Sequence, residues 1–342
     1  MNTPRGARGR VLLAGVVALV LAACGSARDE DVLVIYSAGP RPLAEAVAEA
    51  YTEATGVRVE LFAATTGQIM AKLEAERYRP RADVVVFASR VAAEALSADD
   101  RLLAYPDPAW LEHTEQDWHD PGHRFFGTSA ALVGIAFRED ALDEDADWLS
   151  MFHGGGLDRV TMPSPSRSGA AGDFVVAWTL AEGDASWDAY LAARRGGLDF
   201  AAANSQAIGG LLVGAYNAIL GAVDYLIYRQ IEQGAPLVMH YPASGSALVQ
   251  RPVAILADTP VPERAREFVD FYFTPEMQAL VAAQHLLPAR HDVAPSDARR
   301  AGSGDALPPV IAIDYDEALQ QQTPILRRFQ LRIERAEVVR ER

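Results

Sequence analysis

Three short segments of the sequence combine hydroxyl side chains with glycine where a predicted strand gives way to a predicted helix. They are Ser37-Ala38-Gly39, Thr65-Thr66-Gly67 and Ser166-Arg167-Ser168-Gly169-Ala170. The first turn of a helix has unpaired backbone N–H groups and a partial positive charge, and small hydroxyl residues let an oxyanion approach them. Ser and Thr are also ordinary helix N-caps, so each segment alone fits that role as well. Three such segments together favour a site for an oxyanion.

Two arginines and one carboxylate extend this candidate site. Arg90 and Arg167 would supply positive charge to an oxyanion, although both also fit solvated surface positions. Asp224 would grip the amino group of a zwitterion, cap its own helix, or hold a cation together with Tyr225. These alternatives stay open at the level of the residues.

Recurrent enzyme motifs are missing from the sequence. It has no Gly-x-Ser-x-Gly elbow, no His-Glu-x-x-His pair and no phosphate-binding P-loop. The segment His153–Gly156 is similar to an oxyanion-hole string, but no nucleophile elbow follows it. His113, His119 and His123 are spaced too irregularly for one helical face. We therefore predict a binding protein with no catalytic site and no cofactor.

The first 23 residues have the features of a secretory signal peptide. Three arginines precede an apolar run, Val11–Leu21, which is shorter than the roughly 20 residues that a membrane span needs. The run ends in Leu21-Ala22-Ala23-Cys24-Gly25-Ser26, which resembles a bacterial lipobox, and Cys24 is the only cysteine. We predict an exported chain that a lipid on Cys24 anchors to a membrane, with residues 24–30 as a tether.

The net charge of −15 limits the partners of the chain. Removal of the signal peptide takes away arginines only and makes the charge more negative still. Such a protein binds nucleic acid or an anionic membrane surface poorly. No nucleic-acid partner is therefore predicted, and the lipid must provide the membrane attachment.

Strands and helices alternate along the chain in the predicted secondary structure. Predicted strands cover 31–36, 57–62, 82–87, 132–137, 160–162, 216–220 and 251–256; predicted helices cover 42–55, 67–77, 90–96, 205–213, 222–233, 263–273 and 275–285, with one more after Gly169. An amphipathic helix from Tyr315, interrupted at Pro324, is expected near the end. This alternation predicts an α/β fold of mostly parallel sheets flanked by helices. The length exceeds one ordinary core and indicates two lobes.

Several strings, in this order and spacing, resemble the periplasmic solute-binding proteins of ABC importers, above all the group that binds ferric iron, oxyanions or phosphonates. They are Ile35-Tyr36-Ser37, Ala64–Gln68, Arg81–Val86, Pro163–Ala170, Val223-Asp224-Tyr225, Gly234–Leu237, Arg251–Leu256 and Ala265–Leu287. The resemblance covers nearly the whole chain after the signal peptide. It implies a two-lobed, type II periplasmic-binding-protein-like fold with a ligand cleft between the lobes. Lobe 1 would comprise 31–130 plus 248–300, and lobe 2 would comprise 131–247 plus 301–342 with the C-terminal helix. A monomer working with an ABC permease and ATPase is also implied.

The same resemblance bears on the solute. Iron-binding members hold their metal with a histidine, a glutamate, two adjacent tyrosines and an anion; here those positions fall near Pro40, near Ala88 or Ser89, and at Asp224-Tyr225. Most metal ligands are therefore missing, whereas the residues that match the anion cradle are retained, namely Ser168, Gly169, Ala170 and Asn204. This pattern favours direct capture of an oxyanion or phosphonate-type solute. Ferric iron held by Tyr225 and Asp224 is the alternative ligand, and an adhesin or sensor lipoprotein without transport is the alternative function.

Overall fold

The computed structural model describes residues 32–154, 158–303 and 307–336. Within these ranges the strands are β1 (Val32–Ser37), β2 (Arg58–Ala63), β3 (Val84–Val86), β4 (Leu102–Leu103), β5 (Phe125–Arg138), β6 (Val160–Pro163), β7 (Asp199–Ala201), β8 (Ala218–Val223), β9 (Leu237–His240), β10 (Ala247–Leu256) and β11 (Leu287–Pro288). The helices are α1 (Arg41–Thr55), α2 (Thr66–Ala75), α3 (Arg90–Ala98), α4 (Trp148–Phe152), α5 (Gly169–Glu182), α6 (Asp184–Arg195), α7 (Asn204–Leu212), α8 (Asp224–Glu232), α9 (Pro262–Tyr272), α10 (Pro275–Ala283), α11 (Asp297–Ser303) and α12 (Tyr315–Phe329). A π-helical turn, Gln330–Glu334, continues α12. The predicted signal peptide, the tether and Cys24 lie outside the described residues, so those predictions stay predictions.

One sheet runs through both lobes in the order β2-β1-β3-β10-β5-β8-β6-β7. The strands β2, β1 and β3 are parallel in the first lobe, and β8, β6 and β7 are parallel in the second. The two long strands β5 and β10 pair with each other antiparallel and connect the two groups. This arrangement agrees with the predicted α/β class of two mostly parallel halves, because among the described strands only β5 and β10 connect the halves of the sheet.

Burial on both faces explains why β1 is apolar throughout. Leu33 and Ile35 pack on one face in the same cluster as the buried side of α1. Val32, Val34 and Tyr36 point to the other face, where α2 and α3 cover them. A strand that is covered on both faces does not need polar residues in alternation. Helices on both sides of the sheet therefore fix its carboxyl edge, where the helices α2 and α3 begin.

Besides α6, the structure contains elements that the patterns do not predict, namely β4, β7, β9, β11, α4 and α11, and the strands β5 and β10 begin before their predicted starts. The patterns do not predict α6, which follows α5 after the single residue Gly183, at a φ of 60°. The predicted interruption at Pro324 is wrong, because α12 continues through this exposed proline. A proline inside a helix costs about 3 kcal/mol, but α12 packs on both α5 and α3 and buries Ile325 and Phe329. Tertiary packing outweighs local preference there.

Candidate functional site

Three helices begin at one cavity of about 220 Å³ between the lobes. The first lobe contributes the starts of α2 and α3, and the second lobe contributes the start of α5. Seven of the residues that the sequence singles out line this cavity: Thr66, Gly67, Ser89, Ser166, Arg167, Ser168 and Gly169. Because each helix start presents backbone N–H groups and a partial positive charge, the cavity is suited to an anion.

Two of these helix starts are capped by hydroxyl side chains. Thr65 caps α2 in a capping box with Gln68, and the Ser168 Oγ accepts the backbone N–H of Ala171 at 3.3 Å. Ala170 is buried in the first turn of α5. These bonds are ordinary N-caps, so the predicted alternative for the two segments also holds. Capping fixes where each helix starts and leaves the remaining first-turn N–H groups available.

Asn204 extends the cradle from the start of a fourth helix, α7. Its Nδ2 donates to the Ser168 Oγ at 3.2 Å. Its Oδ1 is buried and has no hydrogen-bond partner among the described residues. An unpaired buried polar atom is costly, so this amide marks a place where a ligand or water group is expected.

The two lobes come close together at Gly169. A Cβ at this position would lie 3.1 Å from the Ala88 carbonyl oxygen and 3.2 Å from the Thr66 Oγ1, both in the first lobe. The same Thr66 Oγ1 accepts the Ala88 backbone N–H at 3.2 Å. A side chain at position 169 would therefore crowd the first lobe, and its neighbours would have to move by a few tenths of an ångström.

Asp173 lines the cavity as well, and the sequence analysis missed it. The Ser89 Oγ of the first lobe donates to its Oδ1 at 2.7 Å, so this bond crosses the cleft. Burial raises the pKa of Asp173 to about 7, although the Ser89 hydrogen bond and the charge of Arg251 act in the opposite direction. A signal was present: Asp173 is a carboxylate among apolar residues in the first half of α5, four residues after Gly169 and thus on the same helical face.

Ala38, which follows Ser37, and Tyr225 lie at a second polar group, around Arg251, whereas the Ser37 Oγ accepts the Gly39 backbone N–H at 3.1 Å. The Arg251 Nη1 is 3.5 Å from the Ala38 carbonyl oxygen, and its guanidinium carbon is 5.1 Å from the Tyr225 ring centre. Its Nε is buried without a partner among the described residues. Arg251 thus carries a buried positive charge at the seam between the lobes. In the sequence, Arg251 is noted only as part of the segment Arg251–Leu256 that resembles the family, and it was not predicted as a site residue.

The two predicted arginines differ in their surroundings. Arg90 is buried; it pairs with Glu94 at 3.0 Å, donates to Gln250 at 3.0 Å, and lies 4.1 Å from the Tyr315 ring centre. The positive charge of Arg90 is therefore paired with a carboxylate of the protein itself. Arg167 is exposed at the cavity and makes no ion pair with any described residue. Of the two, Arg167 is placed to reach a ligand.

The carboxylate of Asp224 is occupied by protein groups. Arg299 pairs with its Oδ2 at 2.7 Å, and the same oxygen accepts the Leu132 N–H and the Tyr241 hydroxyl at 3.0 and 3.2 Å. The side chain is fully buried. Burial raises the pKa of Asp224, and the guanidinium of Arg299 opposes that shift. The Oδ1 accepts the Tyr225 backbone N–H at 2.6 Å, so both oxygens of Asp224 have partners within the protein and the side chain ties α11 to α8.

The C-terminal helix closes one side of the cavity. Gln322 and Leu326 of α12 line it. At the following π-helical turn, Glu334 accepts the hydroxyls of Ser164 and Ser166 at 2.8 and 3.0 Å. A carboxylate near the C-terminal end of the described chain therefore accepts two of the hydroxyl donors of the segment that contains Ser164 and Ser166. No local sequence signal links Glu334 to that loop.

In the described ranges, no three histidine, cysteine, aspartate or glutamate side chains group together as ligands for a metal ion. No helix there is long and apolar enough to cross a membrane.

Comparison with solved structures shows the class of fold. Iron-bound HitA from Pseudomonas aeruginosa aligns over 86% of this chain and 98% of its own, with a TM-score of 0.75 and 18% identity. AfuA from Actinobacillus pleuropneumoniae, with exogenous fructose-6-phosphate bound, aligns over 89% of this chain and 99% of its own, with a TM-score of 0.77 and 19% identity. The fold is therefore that of a type II periplasmic binding protein, as predicted.

Sequence comparison then gives the family. A probable ABC transporter periplasmic-binding protein of Sinorhizobium fredii, y4fP, is 24% identical over 285 residues, which are 80% of this chain and 78% of the relative. The family model for bacterial extracellular solute-binding proteins matches residues 32–286. The chain belongs to this family, and the predicted family assignment is confirmed.

Proposed function

We propose that this protein captures a small oxyanion or phosphonate-type solute in the interlobe cavity and delivers it to an ABC permease and ATPase. One observation supports this proposal above the others: helix starts from both lobes, with Arg167 beside them, line the same cavity. An anion there would receive hydrogen bonds from both lobes at once. Its binding would therefore favour the closed arrangement, with β5 and β10 as the connection about which the lobes move.

The size of the cavity supports a small ligand. Pockets for drug-sized ligands have volumes of about 300 to 1,000 Å³, and this cavity has about 220 Å³. The AfuA structure was determined with a phosphorylated sugar, which is compatible with a phosphorus oxyanion as the group recognised in the cradle. We infer that the bound solute is a phosphate, a phosphonate or a small ester of these.

Membrane attachment through Cys24 is part of the same proposal. A lipid on this residue would keep a monomeric binding protein close to its permease outside the cytoplasm. Cys24→Ser should move the protein from the membrane fraction to the soluble fraction and abolish incorporation of labelled fatty acid. A variant that stays lipidated and bound to the membrane would contradict the assignment of Cys24.

A thermal-shift screen of the purified full-length chain in mild detergent tests the ligand class. The panel contains phosphate, sulfate, molybdate, 2-aminoethylphosphonate, glycerol 3-phosphate and ferric citrate. A ligand at about 100 times its dissociation constant stabilises the folded state by about 2.7 kcal/mol, which raises the melting temperature by several degrees. We expect this shift with one or more phosphorus oxyanions, and we expect Ser168→Ala to abolish it.

Thr274→Ala is the matched control for Ser168→Ala. The Thr274 side chain caps α10 by accepting the Met277 N–H at 3.4 Å, and it does not line the cavity. Both variants should lower the unliganded melting temperature similarly, because each loses one N-cap worth about 1 kcal/mol. Only Ser168→Ala should lose the ligand response. A response to ferric citrate alone, lost in Tyr225→Phe, would show that iron is the solute and that the anion proposal is wrong.

A further inference from the structure

Asp173 is an unusual residue for an anion cradle. Asp173 is the one carboxylate among the described lining residues of the cavity, whose other polar side chains are hydroxyls, the Arg167 guanidinium and the Gln322 amide. Its side chain is buried, with 9% of its surface exposed. Ser89 is its only hydrogen-bond partner within the described ranges. A carboxylate has about four acceptor positions, so Asp173 has acceptor capacity that the protein does not use.

The positive charges near Asp173 do not fully balance the negative charge of its carboxylate. Arg251 lies on one side and lowers its pKa, while Arg90 and the Tyr315 hydroxyl line the small space behind it. Arg90 already pairs with Glu94. Burial dominates these effects and raises the pKa of Asp173 to about 7. Near neutral pH the carboxylate therefore readily shares a proton with a neighbouring oxygen.

A fully ionised oxyanion would place oxygen lone pairs and negative charge against this carboxylate. Like charges at short distance in a site with little water disfavour each other strongly. A hydrogen atom on the ligand that points to Asp173 removes this repulsion, because the lone pairs of the carboxylate then face a hydrogen-bond donor. We propose that Asp173 makes the site selective for oxyanions that bring a hydroxyl donor, on or beside the phosphorus, and rejects those that bring none.

This inference rests on the proposed function and names the solute more closely. The hydroxyl has two sources. Hydrogen phosphate carries its own P–OH group above neutral pH, whereas a phosphate monoester, with a second pKa near 6, carries none there and must use a carbon-bound hydroxyl. Sites that hydrogen-bond a substrate hydroxyl reject analogues that lack it, because the polar group of the protein stays unpaired.

Calorimetric titration of the full-length protein at about pH 8.5, where Asp173 is charged in the empty site, distinguishes these cases. The four ligands are phosphate, sulfate, methyl phosphate and glycerol 3-phosphate. We expect phosphate to bind at least about tenfold more tightly than sulfate, or glycerol 3-phosphate at least about tenfold more tightly than methyl phosphate. The first result identifies P–OH as the donor and the second identifies the carbon-bound hydroxyl. In Asp173→Asn, whose amide can donate, either preference should fall below about threefold.

Ser89→Ala separates selectivity from a merely structural role. This variant removes the interlobe hydrogen bond and keeps the carboxylate, so the preference for hydroxyl-bearing ligands should survive. If both variants weaken all ligands by the same factor, Asp173 only holds the lobes together and the inference is overturned. Equal binding of all four ligands to the wild type, unchanged in Asp173→Asn, overturns it and leaves the proposed function intact. If none of the four binds, the inference is overturned, and the proposed function fails with it if the thermal-shift panel gives no shift with an oxyanion or phosphonate either.

Discussion

Replacing Asp173 with Asn should remove a pH dependence from the stability of the unliganded protein. The pKa of this carboxyl is about 7 in the folded state against an ordinary value of 3.8. The folded state therefore binds the proton more tightly than the unfolded state does, so ionisation of Asp173 destabilises the fold. This destabilisation is absent below about pH 4, grows as the pH rises, and levels off above about pH 7. Asparagine keeps the shape and can still accept the Ser89 hydroxyl, but it does not titrate.

The magnitude follows from the same shift. Each pKa unit corresponds to about 1.4 kcal/mol, so the full shift corresponds to about 4 kcal/mol at pH 8 as an upper limit. At pH 5 the unfolded state is already mostly ionised, and about 1.7 kcal/mol is present. The difference in unfolding free energy between Asp173→Asn and wild type should therefore widen by about 2.5 kcal/mol from pH 5 to pH 8.

Urea denaturation of both proteins at several pH values, followed by fluorescence, measures this difference. Other titrating groups are common to both proteins and cancel in the subtraction. Asp188→Asn, the same substitution at an exposed position of α6, is the control for the loss of one carboxylate. Parallel curves for wild type and Asp173→Asn would refute the reasoning, since they would mean that Asp173 titrates alike in the folded and unfolded states.

Three further substitutions test other parts of the structure. Gly169→Ala places a Cβ 3.1 Å from a carbonyl oxygen of the other lobe, so calorimetry should show that the ligand affinity is reduced several-fold. The control Gly209→Ala, whose Cβ meets nothing within 4 Å, should leave the affinity unchanged and stabilise α7 by up to about 1 kcal/mol. Equal ligand affinities of the two variants would contradict this expectation. Arg299→Met leaves the buried Asp224 carboxylate without its ion pair and should lower the free energy of unfolding in urea by about 3 to 5 kcal/mol. The double variant with Asp224→Asn should recover part of this loss. A change below about 1 kcal/mol would be inconsistent with the ion pair. Glu334→Gln removes the charged acceptor of two serine hydroxyls and should lower stability by about 1 kcal/mol, and an unchanged melting temperature would argue against that contact.

The fold was predictable where local pattern and tertiary environment agree. The apolar run of β1 predicts a strand covered on both faces, and the structure buries all six of its residues. The boundary between α5 and α6 was not predictable from periodicity, because only Gly183 separates two helical segments. Pro324 shows the opposite error: the local rule predicts a break, but α12 is held by contacts with α3 and α5 that lie far away in the sequence.

The residues of the candidate site were likewise predictable where their signal in the sequence is local, and not where they meet only through long-range packing. Hydroxyl and glycine residues at strand–helix junctions are local signals, and the structure brings Thr66, Ser89 and Ser168 to one cavity. Arg251 depends on a contact with Ala38, which is 213 positions away. Glu334 reaches Ser166 over 168 positions. A single sequence carries no pattern for such pairs, because they result from how the two lobes and the C-terminal helix pack.

The proposed capture of an anion by an acidic protein requires the attraction to be local. Ions screen charges over about 8 Å at physiological salt, so most surface carboxylates that make up the net charge of −15 act weakly inside the cleft. Helix starts act at contact distance, each with about half a positive charge. The surface charge therefore affects how fast an anion arrives, whereas the cradle determines how tightly it is held. Asp173 is the exception among the carboxylates, because it lies within the cavity where little water screens it. One buried carboxylate at this place should consequently influence the choice of solute more than all the acidic residues of the surface.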